Sequence, residues 1–189
     1  MPTHKLGSTV GSSPINGSVI IAVDPGTTRS AMVFLQGQTI VASALESNEW
    51  VRNLLEREHN SGDMLVVEEF ESFGMPIGRE VMQSIFWSGR FVEAWGGDWV
   101  LIPRRAVKLH HCKSARANDA TIRQALLDRY GPGRTAAIGT KAHPGPLYGI
   151  KRDLWSALAL GLTYYDNDGR RQQQRIADFW PVVRGEKTS

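Results

Sequence analysis

The sequence predicts an α/β fold built on a mixed five-stranded sheet with helices on both faces. Three short apolar runs follow one another near the N-terminus, separated by turn residues, which indicates an antiparallel three-strand meander. Two later apolar runs alternate with long amphipathic stretches, which is typical of parallel strands linked by helices. The last long stretch is apolar nearly all round, as in a helix buried against a sheet.

The meander begins with a strand over 19–23, which ends at the turn Asp24-Pro25-Gly26. Strands over 30–35 and 39–44 follow, and the Gln-Gly-Gln segment between them has the length of a hairpin connection. An apolar run closed by Pro-Gly is typical of a buried strand that enters a turn. Asp24 is therefore predicted to lie where the first strand ends.

The rest of the chain alternates helices with strands. Apolar spacing predicts a helix over 46–59, a strand over 64–67 that runs into Glu68, a helix over 78–95, a strand over 99–102, and helices over 118–130 and 150–165. Parallel pairing of the central strands would bring their carboxyl ends to one edge of the sheet, where ligands bind in such folds.

The helix over 78–95 has more apolar surface than one core face requires. Its main apolar stripe consists of Val81, Met82, Ile85, Phe86, Val92 and Trp95. Trp87 and Phe91 lie partly off this stripe. Two-sided packing within one subunit would explain the surplus, and so would a homodimer interface, where aromatic residues are enriched.

Composition indicates one globular domain over 18–167, between a flexible leader over 1–17 and a polar tail over 168–189. Hydrophobic residues make up 41% of the 189, which excludes general disorder, and the net charge of +3 favours an anionic partner. The single cysteine, Cys112, excludes a disulfide framework. Neither a signal peptide nor a membrane-spanning run is present, so we expect a cytoplasmic protein without membrane contact.

Three acidic residues are expected to share one location. Asp24 and Glu68 end the first and fourth strands, and Asp153 falls in the first turn of the last helix. An acid on that apolar helix is costly to bury unless it is paired or bound to a cation. Carboxylates suit Mg²⁺ or Mn²⁺, and two such ions clamp the attacking and leaving oxygens of a phosphodiester displacement.

Each acid also has a simpler explanation. An Asp before Pro-Gly usually bonds its own turn, and an Asp in a first helical turn usually caps the helix. Taken one at a time, these explanations are favoured. Taken together and in this order of elements, the three acids favour a metal site.

Four segments carry a family resemblance: Val-Ile-Ile-Ala-Val-Asp24-Pro-Gly, Leu-Val-Val-Glu68, Ser-Gly-Arg90 in a long helix, and Arg-Asp153-Leu-Trp-Ser-Ala-Leu-Ala-Leu. Together they resemble the RuvC-like Holliday junction resolvases, most closely divergent phage-encoded members, over about 19–165. The resemblance implies an RNase H-like fold and a dimeric, metal-dependent nuclease that cuts four-way DNA junctions with paired, symmetric nicks. Asp24, Glu68 and Asp153 match the family's acidic residues.

The sequence departs from the family pattern at the last helix. The family usually has two acids there, three residues apart, and the second position here is Ser156. Asp119 and Glu69 are the nearest candidates for the missing ligand. Capping of the helix that follows explains Asp119 better, and strand alternation should turn Glu69 away from Glu68.

The family also has an aromatic residue shortly after the acid of the fourth strand, near the crossover point of the junction. Phe70 and Phe73 bracket that place without matching its spacing. Core packing is the favoured explanation for both, ahead of base stacking.

A basic stretch follows the fifth strand. Residues 104–116 contain no acid, two histidines (His110 and His111), and the basic residues Arg104, Arg105, Lys108, Lys113 and Arg116. A solvated helix face would have this composition, but its place beside the predicted site favours contacts with DNA phosphates. Lys141 is a further candidate for DNA contact, and His143 beside it could orient water or the scissile phosphate.

Other functions remain open. Asp24-Pro-Gly-Thr27-Thr28 with Ser30 resembles the phosphate-binding hairpin of the actin and sugar-kinase ATPases, but those proteins need a second lobe, so we expect no nucleotide cofactor. An RNA-processing nuclease of the same superfold is possible, as is a DNA-binding protein that lost its activity with the acid at position 156. Junction, flap and other branched substrates are not distinguished.

Overall fold

A computed structural model describes residues 18–58, 60, 62–72, 74, 76–167 and 184–185. The predicted leader, most of the predicted tail and Phe73 lie outside these residues. The strands are β1 Ile20–Asp24, β2 Arg29–Gln36, β3 Thr39–Ser47, β4 Met64–Glu69, β5 Asp98–Pro103 and β6 Arg184–Gly185. The helices are α1 Asn48–Arg57, α2 Arg79–Trp95, α3 Arg104–Cys112, α4 Asp119–Tyr130, α5 Arg134–Ile138 and α6 Leu154–Asn167.

The strands form one mixed sheet in the order β3-β2-β1-β4-β5-β6. The first three strands are an antiparallel meander, and β4 runs parallel to both β1 and β5. The predicted five-stranded sheet is therefore confirmed. The two residues of β6 add an antiparallel edge to β5, inside the stretch predicted to be a tail.

The register between the two central parallel strands positions the site. Ile20 pairs with Met64, and the pairing continues in step to Val23 with Val67. One residue further, Asp24 and Glu68 stand level with each other. Because side chains alternate along a strand, both carboxylates point to the same face of the sheet.

Helices cover both faces of the sheet, as predicted. Val107, Ile122, Leu126 and the buried side of α6 pack on the face that carries Ala22 and Val66. On the opposite face, Val51, Leu55, Phe91 and Trp95 from α1 and α2 pack against Ile21, Val23, Leu65 and Val67. Two apolar layers therefore hold the central strands in place beneath their carboxyl ends.

Helix α6 lies against the sheet at Gly161. A Cβ atom on Gly161 would come within 2.7 Å of the Leu35 side chain and 3.0 Å of the Ala22 Cβ atom. No larger residue fits there without moving the helix outward. This close approach fixes the position of the N-terminal end of α6, which borders the carboxylates.

The core face of α2 differs from the predicted one. Ser84, Ser88, Phe91 and Trp95 are its buried residues. Four members of the predicted stripe, Val81, Met82, Ile85 and Phe86, are exposed. The apolar pattern misled because small serines occupy the closely packed positions and leave the larger apolar side chains facing outward.

The later helices also differ in detail. Helix α6 begins at Leu154 rather than at residue 150, so Asp153 lies in the turn before it. Asn118, not Asp119, caps α4 through a side chain that accepts from the backbone N–H of Thr121. Helices α3 and α5 were not predicted as separate elements. No described helix is both long and apolar enough to cross a membrane.

Candidate active site

Asp24 and Glu68 form a hydrogen-bonded carboxyl pair at the carboxyl ends of β1 and β4. Glu68 is only 8% exposed, and Asp24 is half-buried. The two carboxyls are close enough for each to affect the pKa of the other. Two carboxyls that share a buried site disfavour the ionisation of both at once.

The environment of Asp24 strongly favours its protonated form. Burial, the Glu68 carboxylate and the Asp153 carboxylate together raise the pKa of Asp24 to about 8, against smaller opposing contributions from Arg104 and from a Ser156 hydrogen bond. Burial likewise raises the pKa of Glu68, although Arg104 opposes it. The carboxyl pair therefore has less positive charge beside it than the ionisation of both groups would require.

Arg104, the first residue of α3, supplies part of that charge. Its Nη1 atom lies 3.5 Å from Glu68 Oε2, and its Nη2 atom donates to Asp119. Arg104 was predicted to contact DNA. Because its guanidinium is engaged by two carboxylates, Arg104 also has a role within the protein. Asp119 reaches the site through Arg104 rather than through Glu68 or Asp24.

Asp153 and Ser156 flank the pair from the start of α6. Asp153 is exposed, contrary to the expectation of a buried acid, and it acts on Asp24 through space. The Ser156 hydroxyl donates to Asp24, so the residue at the family's second acidic position contacts the site as a neutral donor. Arg152 has a left-handed backbone with φ of +46°, which is an uncommon conformation for a residue other than glycine.

A buried polar network fixes the turn after Asp24. The Gly26 N–H donates to Ser30 Oγ at 3.2 Å, the Ser30 hydroxyl donates to Asn48 Oδ1 at 2.7 Å, and the Asn48 amide donates to the Gly26 carbonyl at 3.0 Å. A Cβ atom on Gly26 would lie 2.2 Å from the Arg29 carbonyl oxygen, so the turn requires glycine. Gly26 and Ser30 are engaged here, which weakens the ATPase interpretation of this hairpin.

Asn48 was not identified from the sequence. It is 1% exposed and closes the network from the first residue of α1. A buried Asn at a helix start is usually assigned to capping, and Ser47 already fills that role here. Only the folded position of α1 against the first hairpin reveals its contact.

The predicted DNA-contacting residues fall into two groups. Arg104, Arg105 and Lys108 line a cavity of about 500 Å³ together with Glu68, Glu69, Phe70 and Glu71. Lys113, Arg116 and Lys141 are exposed in loops and line neither this cavity nor the one beside Asp153. His143 is exposed in the same loop as Lys141.

The two histidines of α3 join helices to each other. His111 Nε2 donates to the Ala159 carbonyl at 2.9 Å, and burial lowers the pKa of His111 to about 4. His110 Nε2 lies 2.7 Å from Asp166 Oδ2. Both contacts tie α3 to α6, so neither histidine is presented to a ligand at the carboxylates.

Glu69 and Phe70 lie next to the pair without joining it. Glu69 continues the alternation of Leu65 and Val67, which face α1 and α2, as expected for a residue turned away from Glu68. Burial raises the pKa of Glu69, and its Oε2 atom has no hydrogen-bond donor among the described residues. Phe70 belongs to neither apolar cluster, and it lines the cavity of about 500 Å³ beside Glu68. The core-packing explanation is therefore wrong for Phe70.

The donor set suits a divalent cation in its chemistry, because it offers paired carboxylates with a raised pKa. Among the described residues, however, no three Asp, Glu, His or Cys side chains are grouped closely enough to hold a metal ion. Asp24 and Glu68 are in contact, Asp153 lies outside bonding reach, and Arg104 occupies the charge-compensating position. A cation held by all three acids requires Asp153 to approach.

Comparison with solved structures identifies the fold. The chain is similar to the RuvC structure of Thermus thermophilus, with a TM-score of 0.56 and 15% identity over 80% of this chain and 96% of that one. It is also similar to T. thermophilus RuvC solved in complex with a Holliday junction substrate, with a TM-score of 0.52 and 16% identity over 81% and 96% of the two chains.

The architecture is therefore the RNase H-like fold of RuvC, and the resemblance predicted from the four sequence segments is confirmed at the level of fold. No protein-family model matches the sequence, and no curated protein matches it significantly.

Proposed function

We propose that this chain is a divalent-metal-dependent endonuclease that cleaves branched DNA, most specifically four-way junctions, by paired phosphodiester hydrolysis. The observation that carries the proposal is the Asp24–Glu68 pair, where burial and neighbouring acids raise the pKa of Asp24 to about 8. Strongly raised carboxyl pKa values cluster at functional sites, and carboxylates are the groups that hold the metal ions of phosphoryl chemistry.

In this proposal Asp24, Glu68 and Asp153 hold two Mg²⁺ or Mn²⁺ ions. When bound, such ions supply Lewis acidity toward the scissile phosphate and activate water. A bound cation would favour the ionised form of Asp24, and the Ser156 hydroxyl would keep the Asp24 carboxylate oriented. Arg104 holds Glu68 in place from α3, on the side that leads to Arg105 and Lys108.

The basic surroundings support DNA as the substrate. Arg105 and Lys108 line the cavity next to Glu68, which places positive charge where a phosphate backbone would cross the carboxylates. The similar RuvC structure with a Holliday junction supports a branched substrate. We place the activity in the cytoplasm, where such DNA is accessible to a bacterial or phage enzyme.

The function is tested with a labelled four-way junction, a linear duplex of the same arms and an RNA duplex, each with Mg²⁺ or EDTA. We expect paired nicks in the junction alone and only with Mg²⁺. Equal cutting of the linear duplex would contradict the junction preference. Cutting confined to RNA would contradict a DNA substrate altogether.

A catalytically inactive junction-binding protein is the second candidate, and two observations favour it. Ser156 is neutral where the family usually has an acid, and Arg104 already compensates the Glu68 charge. Such a protein would bind the junction tightly in the same assay and cut nothing with either Mg²⁺ or Mn²⁺.

We further propose a homodimer that uses the apolar ridge of α2, defined as Val81, Met82, Ile85 and Phe86. Phe86 is 63% exposed and Met82 54%. Contiguous exposed apolar side chains mark interaction surfaces, and a second copy suits a substrate with two-fold symmetry.

Phe86→Glu should convert the dimer to a monomer, because the introduced carboxylate would have to be desolvated in a packed apolar interface. Sedimentation velocity measures the result directly. Tyr148→Glu is the matched control, since Tyr148 is 47% exposed and lies away from α2. A monomeric wild type, or a Phe86→Glu variant that stays dimeric, would contradict the proposed interface.

A further inference from the structure

A second cavity, separate from the one that Arg105 and Lys108 line beside Glu68, borders the candidate active site. It has a volume of about 610 Å³ and lies between α4, α5 and the start of α6. Asp153 and Ser156 form part of its wall, so it opens directly onto the candidate active site. We call it the arginine cavity, because Arg123, Arg134 and Arg152 line it.

The three arginines outnumber the acids in the same lining, Asp119 and Asp153, and Asp119 is already paired with Arg104. None of the three arginines forms an ion pair within the part of the chain that the structure describes, and all three are exposed. Arg104, Arg90 and Arg129, in contrast, each pair with a carboxylate. Three unpaired guanidiniums around one cavity repel one another and favour an anionic ligand.

One of the arginines is held in place by an aromatic side chain. The Arg123 guanidinium stacks over the Trp155 ring with its Cζ atom 4.9 Å from the ring centroid, and Trp155 is itself buried. Pre-positioned guanidiniums lose less conformational freedom when they bind, and their planar forks match phosphate oxygens.

The size and lining of the cavity distinguish among anions. Its volume of about 610 Å³ lies in the range of small-ligand sites, which suits a short segment of one strand better than a duplex. Gln124, Leu127 and Trp155 add one polar and two apolar groups to the lining. This mixture suits sugar and phosphate units better than a lone inorganic ion.

We infer that the arginine cavity binds the phosphodiester backbone of the cleaved DNA strand immediately beside the scissile phosphate. The inference rests on the proposed nuclease function and adds to it a second binding surface that the basic stretch 104–116 does not contain. The site then has two sets of groups that can contact phosphates, Arg105 and Lys108 beside Glu68 and the arginine cavity beside Asp153. A strand that crosses both is held on each side of the bond to be cut.

The test measures DNA binding without cleavage, by fluorescence anisotropy of a labelled junction and a labelled single strand in EDTA. Arg123→Gln, Arg134→Gln and Arg152→Gln should each raise the Kd several-fold and reduce the slope of log K against log salt by about 0.7–0.9, the value for one lost phosphate contact. Arg123→Lys should keep the slope and lose part of the affinity, because it keeps the charge without the fork.

Arg57→Gln is the matched control, since it removes one exposed positive charge from α1 on the opposite face of the sheet. Thermal unfolding confirms that each variant is folded. If the three cavity variants bind like Arg57→Gln while the wild type binds the junction, the cavity inference is overturned and the proposed function survives. If the wild type binds neither DNA, both are overturned.

A competition arm separates polymeric from free phosphate. An excess of a deoxynucleoside monophosphate should leave the junction bound, because one phosphate engages only part of the cavity. Displacement of the junction at low monophosphate concentration would identify a nucleotide pocket instead and overturn the inference.

Discussion

Asp24→Asn should abolish metal-dependent cleavage and, in EDTA near pH 9, make the protein more stable. The loss of cleavage should be at least about a thousandfold, on the scale of removing a central group of a preorganised site. The gain in unfolding free energy should be on the order of 2 kcal/mol. A residue that is costly to the fold and necessary for the reaction is expected of a functional site.

The stability effect follows from the raised pKa of Asp24. In the folded protein its pKa is about 8, against the ordinary Asp value of 3.8. Between these two values the folded state holds a proton that the unfolded chain has released, so stability falls as the pH rises through this window. Asparagine never ionises, and it can still donate to Glu68 and accept from Ser156.

Urea unfolding near pH 5 and pH 9 measures the prediction, with the variant and the wild type expected to differ at the higher pH and to converge at the lower one. Asp128→Asn is the control, because Asp128 is exposed and contacts only the neighbouring Gln124 among the described hydrogen bonds. Destabilisation by Asp24→Asn near pH 9 would show that the Asp24 carboxylate is satisfied in the fold, contrary to the charge deficit described above.

Arg104→Gln should destabilise the protein near pH 9 by about 3 kcal/mol, the usual cost of removing one partner of a buried ion pair. Its guanidinium is the cation nearest the buried Glu68, whose side chain is 11% exposed. The variant would leave Glu68 and Asp24 without compensating charge. The cost should shrink near pH 5, where Asp24 is protonated, and millimolar Mg²⁺ should restore part of the lost stability.

Asp119→Asn separates the two contacts of Arg104. The Asp119 side chain is 82% exposed, so its pair with Arg104 should contribute less than about 1 kcal/mol. In a double-mutant cycle, Asp24→Asn should relieve much of the cost of Arg104→Gln, because the two residues share one charge balance. If Arg104→Gln and Asp119→Asn lower the free energy of unfolding equally, the stabilising contact of Arg104 is the exposed one with Asp119 and not the one with Glu68.

The central part of the site was predictable because it depends on strand order and alternation. The apolar runs before Asp24 and Glu68 identify parallel central strands, and strands in register bring their final side chains together. The same alternation correctly turned Glu69 away. Asp153 was placed near the site by the family resemblance, but its exposure follows from a helix that begins later than the apolar pattern suggested.

What the sequence did not reveal depends on contacts between distant segments. Arg104 meets Glu68 and Asp119 only after α3 folds back from the end of β5. Arg123, Arg134 and Arg152 are far apart in the chain and form no basic run, so the arginine cavity has no sequence signature. The face of α2 was mispredicted because apolar periodicity does not distinguish a core stripe from an exposed apolar stripe.

The most direct test is a titration of the protein with Mn²⁺. The electron paramagnetic resonance signal of the free ion measures how much Mn²⁺ is bound. The account predicts saturable binding by the wild type, loss of that binding in Asp24→Asn and Glu68→Gln, and unchanged binding in Asp128→Asn. Absence of saturable binding at millimolar Mn²⁺, or equal binding by Asp24→Asn, would contradict the proposed metal site. Arg104 would then be the cation that compensates the carboxyl pair.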